Sequence, residues 1–176
     1  MLIANGAAYY SAEWPDRIDP MNSDARALVV ALLREQRQAA LGSLRDDGPF
    51  VSMVAFVAEP DFSGVLLLLS QLAAHTRQLL ADPRAALLIC EPDDGRDDVQ
   101  TLARLSLVGQ AAPLPESDIA TARERYLARL PAAQMLFTLP DFRLFRFVPS
   151  EARLIGGFAR AWTLTPEQLR SAATSS

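Results

Sequence analysis

The sequence predicts a mainly β domain with a few helices (α+β), a barrel or sandwich rather than an alternating βαβ sheet. Three observations carry that expectation. Six or seven strand-sized runs lie between residues 38 and 155, most of them separated only by turn residues. Asp46-Asp47-Gly48 sits between two of the runs, and Asp-Gly supplies the positive φ that a tight hairpin needs. Helical patterns are too few to provide a crossover after every strand.

Each element can be justified in chain order. Residues 1–22 carry Tyr9, Tyr10 and Trp14 among Gly6, Pro15 and Pro20. They read as an irregular arm whose aromatics anchor across a dimer. Residues 23–165 read as the domain proper. Ser23 caps a helix from Asp24 to Gln36, with Ala27, Leu28, Ala31 and Leu32 on one face. Gln38–Arg45 and Pro49–Ala58 are the two strands of the hairpin, and the turn Glu59–Gly64 leads into the apolar strand Val65–Ser70. A helix over Leu72–Ala81 stops at Asp82-Pro83, because proline disfavours helix in the residue before it. Arg84–Glu91 is a buried strand in which Cys90 fills core volume. Pro92–Val99 is an acidic, solvated loop whose spacing does not match an EF-hand. Thr101–Ala112 is a long strand, and Ser117 caps a helix to Leu130 with Ile119, Tyr126, Leu127 and Leu130 at helical spacing. After the break at Pro131, a helical turn covers Ala132–Phe137. Asp141–Val148 and Glu151–Ile155 are the last strands and Gly156-Gly157 a bend. Residues 166–176 form a C-terminal tail that frays from Ser171.

Composition removes several function classes. The 176 residues carry a net charge of −4 and a pI near 5.0, which argues against a nucleic-acid partner. No apolar run reaches the length of a membrane span, and the N-terminus lacks the basic and apolar regions of a secretory signal. A cytoplasmic protein that does not meet the membrane is expected. All 17 basic residues are arginine, so lysine Schiff bases, P-loop lysines and lysine bases are excluded. One histidine and one cysteine cannot build a zinc site of the usual nitrogen and sulfur type, and no G-x-S-x-G elbow is present. The chemistry is expected to belong to a bound cofactor, and no side chain stands out as a catalytic acid or base.

The densest binding chemistry lies in Gly64–Arg84. Ser70 ends a strand, and His75, Thr76 and Arg77 open the helix that follows. Helix-start amides, a hydroxyl and a guanidinium together form a cradle for a phosphate. The plainer readings are a packing histidine and an Arg77 ion pair to Asp82. Arg123, Arg125 and Arg129 read as a solvated helix face, with anion or partner binding as the alternative.

The motif order adds a family resemblance. Asp46-Asp47-Gly48-Pro49-Phe50 is followed by a strand through Ser52–Phe56. Next comes S-x-L-A-x-H-T-R-x-L-x-x-D-P-R-A-x-L-L over residues 70–88, then a late Gly156-Gly157-Phe158-x-x-Ala161. This resembles the flavin-binding split-barrel family of pyridoxamine 5'-phosphate oxidase, and more narrowly its haem-utilisation branch. The resemblance implies a six-stranded antiparallel Greek-key split barrel with flanking helices. It also implies a homodimer holding FMN at its interface and acting on a small redox substrate. By position, Ser52, Met53 and Val54 would run along the flavin ring, and Leu69 and Ser70 beside its ribityl chain. His75, Thr76 and Arg77 would hold the phosphate, and Arg104 would reach the flavin from the partner subunit. Phe158 and Trp162 would lie near the interface. The function implied is an FMN-dependent oxidoreductase; the alternatives are a haem-binding or haem-utilisation protein and a non-catalytic flavin-binding dimer. The chain departs from the oxidase at Ala74 and His75, where an arginine–lysine pair is expected, which leaves Arg77 as the one permanent cation.

Overall fold

Period-two burial decides the architecture. The computed structural model describes residues 21–45, 48–157 and 160–174. Strand β1 (Gln38–Arg45) buries Ala39, Leu41 and Ser43; β4 (Arg84–Cys90) buries Ala85, Leu87 and Ile89; β5 (Arg104–Pro113) buries Leu105, Leu107 and Ala111. Alternation of this kind turns one face of each strand inward and leaves the other outside. The remaining strands are β2 (Gly48–Ala58), β3 (Val65–Ser70), β6 (Phe142–Ile155) and β7 (Ala161–Leu164).

The sheet runs β3-β2-β1-β4-β5-β6-β7, and β3 also pairs with β6, so the first six strands close into an antiparallel barrel. The step from β3 to β4 crosses the ring and gives the Greek-key order. Strand β7 extends the sheet alongside Ala152–Ile155 of β6. β2 meets β3 only over Phe56–Ala58, whereas it follows β1 from Gly48 to Ala55. The barrel is therefore open along one seam. Where two strands were expected over Asp141–Ile155, β6 is continuous. A register shift between Val108 and Gly109 absorbs the irregularity opposite Pro149. Gly109 permits that shift, since a Cβ there would stand 2.1 Å from the Val148 carbonyl oxygen.

Two apolar cores result. Val65, Leu67 and Leu69 of β3 fill the barrel with Phe56, Leu105, Phe145 and Phe147. Leu66 and Leu68 point outward into a second cluster with Ala122 and Tyr126. That explains why β3 is apolar without alternation. Helix α3 (Glu116–Arg129) supplies Tyr126, whose hydroxyl is pushed up to about 12 by burial and whose ring meets Phe137 edge-on at 5.9 Å. α3 is preceded by Pro115, while the Ser117 hydroxyl donates to Asp118, so Ser117 is not the cap.

Helix α1 (Ser23–Glu35) closes one end of the barrel with Ala25, Val29, Leu32 and Leu33. Its cap is Asn22, whose Oδ1 accepts from the Ala25 N–H at 2.8 Å, rather than Ser23. Helix α2 (Ala74–Ala81) follows β3, and α4 (Pro166–Thr174) packs on α1. The expectation of fraying from Ser171 is corrected up to Thr174, because Leu169 and Ala172 of α4 are buried in the main core. Arg26 and Arg34 of α1 also donate to the Ser171 and Ala173 carbonyls at 2.8 and 3.1 Å. Trp162 is buried in that same core. Phe158 and the aromatic arm residues Tyr9, Tyr10 and Trp14 lie outside the described residues. Among the described residues, no helix is long and apolar enough to cross a membrane.

Candidate functional site

The expected phosphate cradle closes on itself. α2 starts after Ala73, which offers no side-chain cap. Ser70 Oγ donates to Asp141 Oδ2 at 2.5 Å and accepts from the Leu72 N–H at 3.1 Å, so a carboxylate stands beside the place reserved for an anionic tail. Thr76 is fully buried, and its hydroxyl has no hydrogen-bond partner among the described residues. Arg77 donates to the Leu72 carbonyl at 2.8 Å. His75 turns toward β2, with Nδ1 3.0 Å from Ser52 Oγ. Partial burial lowers its pKa below the ordinary 6.5, which keeps the ring neutral at neutral pH. Val54 and Leu69 are core residues of the barrel. Of the expected binding residues, the fold thus joins Ser52 to His75 and sends Val54, Leu69 and Thr76 inward.

Met53 faces outward. The registers align it with Ala40 and Leu88, and place Val51, Gly42 and Ala86 in the next row. Ala40, Gly42 and Ala86 make a low floor, while Val51 and Met53 stand 66% and 70% exposed above it. A groove of about 520 Å³ follows this face, lined by Gln38, Ala40, Val51, Ser52, Met53, Leu88 and Cys90, with Glu91 and Asp93 at one end. Cys90 is exposed here, which corrects its reading as core filler. The alternation of β4 explains the correction: Ala85, Leu87 and Ile89 point in, so Cys90 must point out. Partial burial pushes its thiol up, with Arg104 pulling the other way. Arg104 lies opposite Cys90 on β5 and donates to the Gln100 and Leu102 carbonyls at 2.9 and 3.3 Å. Sequence reasoning missed Val51, Leu88 and Cys90 as a surface; strand parity is the signal that finds them.

The closed barrel, its seam and the crossing by α2 define a split barrel of the pyridoxamine 5'-phosphate oxidase type. Residues 25–156 match the family described as pyridoxamine 5'-phosphate oxidase, and the chain belongs to that family. It is 38% identical over 115 residues to a protein named non-canonical heme oxygenase HOZ, chloroplastic, of Arabidopsis thaliana. That match takes in 65% of this chain but only 34% of the relative, so the chain spans about a third of that protein. It is 29% identical over 145 residues to heme oxygenase HutZ of Vibrio cholerae, covering 77% of this chain and 78% of that one. A solved structure titled as a heme binding protein from Mycobacterium smegmatis superposes with a TM-score of 0.74 at 26% identity, over 88% of this chain and 62% of that one.

These relatives correct the FMN expectation, since the group their names specify is heme. The geometry gives a physical reason. An FMN phosphate carries nearly two negative charges, and the cradle offers it Arg77, bonded to a carbonyl, beside the Asp141 carboxylate.

Proposed function

We propose that this protein binds haem in the groove across β2, β1 and β4 and serves haem utilisation, not FMN-dependent oxidation. The observation that carries the reading is the groove itself: an apolar, low-floored face with sulfur donors at Met53 and Cys90. A porphyrin needs a flat apolar surface, a donor near its iron and cations near its carboxylates. Val51, Met53 and Leu88 would cover its plane and Met53 or Cys90 would offer the donor; Arg104, opposite Cys90 on β5, would supply the cation by leaving the Gln100 and Leu102 carbonyls. The residues present therefore fit the group. Haem, when bound, supplies oxygen and electron chemistry that no side chain here possesses.

The chain's own part is to exclude water and hold protons. Val51, Met53 and Leu88 desolvate one face of a flat ligand. Ser52 Oγ, on the groove wall, shares a proton with neutral His75 Nδ1 behind it. That pair occupies the one histidine, which favours sulfur or an external ligand for iron. A second copy of the chain would complete the site. Val51, Met53, Leu88 and Val108 form an exposed apolar band that a homodimer would bury.

Haem titration of the purified chain tests the reading. A saturable Soret band that survives His75→Gln is expected; no spectral change on titration would overturn it. Loss of that band under reductant and oxygen would separate degradation from storage, and sedimentation would report the dimer.

A further inference from the structure

Three guanidiniums surround a second cleft, between the end of α1, the β2–β3 turn and α3. Arg34, Arg125 and Arg129 line this space of about 290 Å³. Its apolar walls are Leu33, Phe56, Val57, Phe62 and Ala128. Arg34 lies over the Phe62 ring at 5.4 Å and donates to the Ala173 carbonyl, and Arg129 donates to the Glu35 carbonyl at 2.6 Å. Neither has a carboxylate partner among the described residues.

The carboxylate that lines the cleft among the described residues is already engaged. Glu59 is 5% exposed and gives Oε1 to Arg146, at 3.1 Å from Nε and 2.9 Å from Nη2, and Oε2 to Ser63 at 3.1 Å. Arg125 comes no nearer to it than 3.9 Å, outside hydrogen-bond reach. Asp61 of the same turn also attracts Arg125 through space. Glu59 is thus held mainly by Arg146, which also donates to Asp118 Oδ2 at 3.0 Å, and the guanidiniums of Arg34, Arg125 and Arg129 line an apolar space.

From this geometry we infer that the cleft binds a small aromatic carboxylate. A carboxylate would give Arg125 and Arg129 the paired acceptors that their present partners lack, and guanidinium suits that group by shape as well as charge. An aromatic body suits the walls and the Phe62 face. The volume sits at the small end of ligand pockets, which run from about 300 to 1,000 Å³, so it takes one or two fused rings and not a tetrapyrrole.

Calorimetric titration of the full chain with 2-naphthoate, and separately with neutral 2-naphthamide, tests the assignment. The acid should bind saturably and about tenfold more tightly than the amide, the difference being the charge-assisted contacts. Arg125→Gln, an exposed and fold-neutral change, should bring the acid down to the amide's affinity, and Ala128→Phe should fill the cleft. Met53→Asp, in the haem groove, should leave the acid's affinity unchanged, so this site and the haem reading fail separately. Equal binding of acid and amide, no saturation by the acid, or indifference to Arg125→Gln would each overturn the inference.

Discussion

The start of α2 and the outer face of β2-β1-β4 lie on either side of the Ser52–His75 contact, yet they treat their chemistry in opposite ways. At α2, Ser70 turns to Asp141, Arg77 to the Leu72 carbonyl and His75 to Ser52. On the outer face, Val51 and Met53 stand in solvent over a floor of small residues. The first region resembles a binding site in its residue types, and its polar groups bond to one another and to the backbone. The second attracts little notice in the sequence and presents open apolar surface. Residue type marks where chemistry can occur, whereas unsatisfied surface marks where a ligand gains free energy by arriving.

Four measurements can break or sharpen that contrast. Met53→Asp should weaken haem binding by about a hundredfold, roughly 2.8 kcal/mol, through a desolvated charge under the ring. Its melting temperature should stay that of the parent, because the side chain is exposed; an unchanged Soret titration would remove the groove from the site. Ser70→Ala should cost about 1.5 kcal/mol in urea unfolding, the value of a hydrogen bond to a charged acceptor, while leaving the haem titration intact. Altered haem affinity in that variant would return the α2 region to the binding site.

Thr76→Val should stabilise the fold by about 1 kcal/mol, since the near-isosteric change removes a buried hydroxyl that lacks a partner. A destabilised variant would mean that the hydroxyl is satisfied after all. The smallest effect concerns pH. The folded-state pKa of His75 lies below its ordinary 6.5, so the unfolded chain takes up the proton first. This histidine's contribution is intact above about 6.5 and is lost as pH falls from there through the folded value. His75→Gln should flatten that part of the stability–pH curve; an unchanged slope would show that burial does not hold the ring neutral.

Much of the barrel was legible because its strands alternate and its turns carry Gly, Pro and Asp. The hairpin of β1 and β2, the α2 stop at Pro83 and the acidic loop all follow from local rules. What escaped depended on partners distant in sequence. The α4 segment offers Leu169 and Ala172, with Ala173 beside them, as apolar anchors, and these become a helix face because α1 and the barrel end receive them. The four residues of β7 are too few to show a period. The unbroken β6 hides its continuity behind Pro149, which is accommodated by a register shift in β5. At the site, His75, Thr76 and Arg77 were rightly seen as polar groups at a helix start, but adjacency in sequence sends them in three directions. Cys90 was lost through attention to the apolar run rather than to its parity.

The incomplete pairing of β2 with β3 has a consequence for how this protein survives crowding. From Gly48 to Ala55, β2 has β1 along one side and, among the described residues, no strand along the other, which is a template for an incoming backbone. Pro49 stands in that stretch and brings no amide hydrogen. A foreign strand zipping along this seam meets a gap in its ladder near the hairpin turn, so the split that distinguishes the barrel carries its own brake against fibril growth.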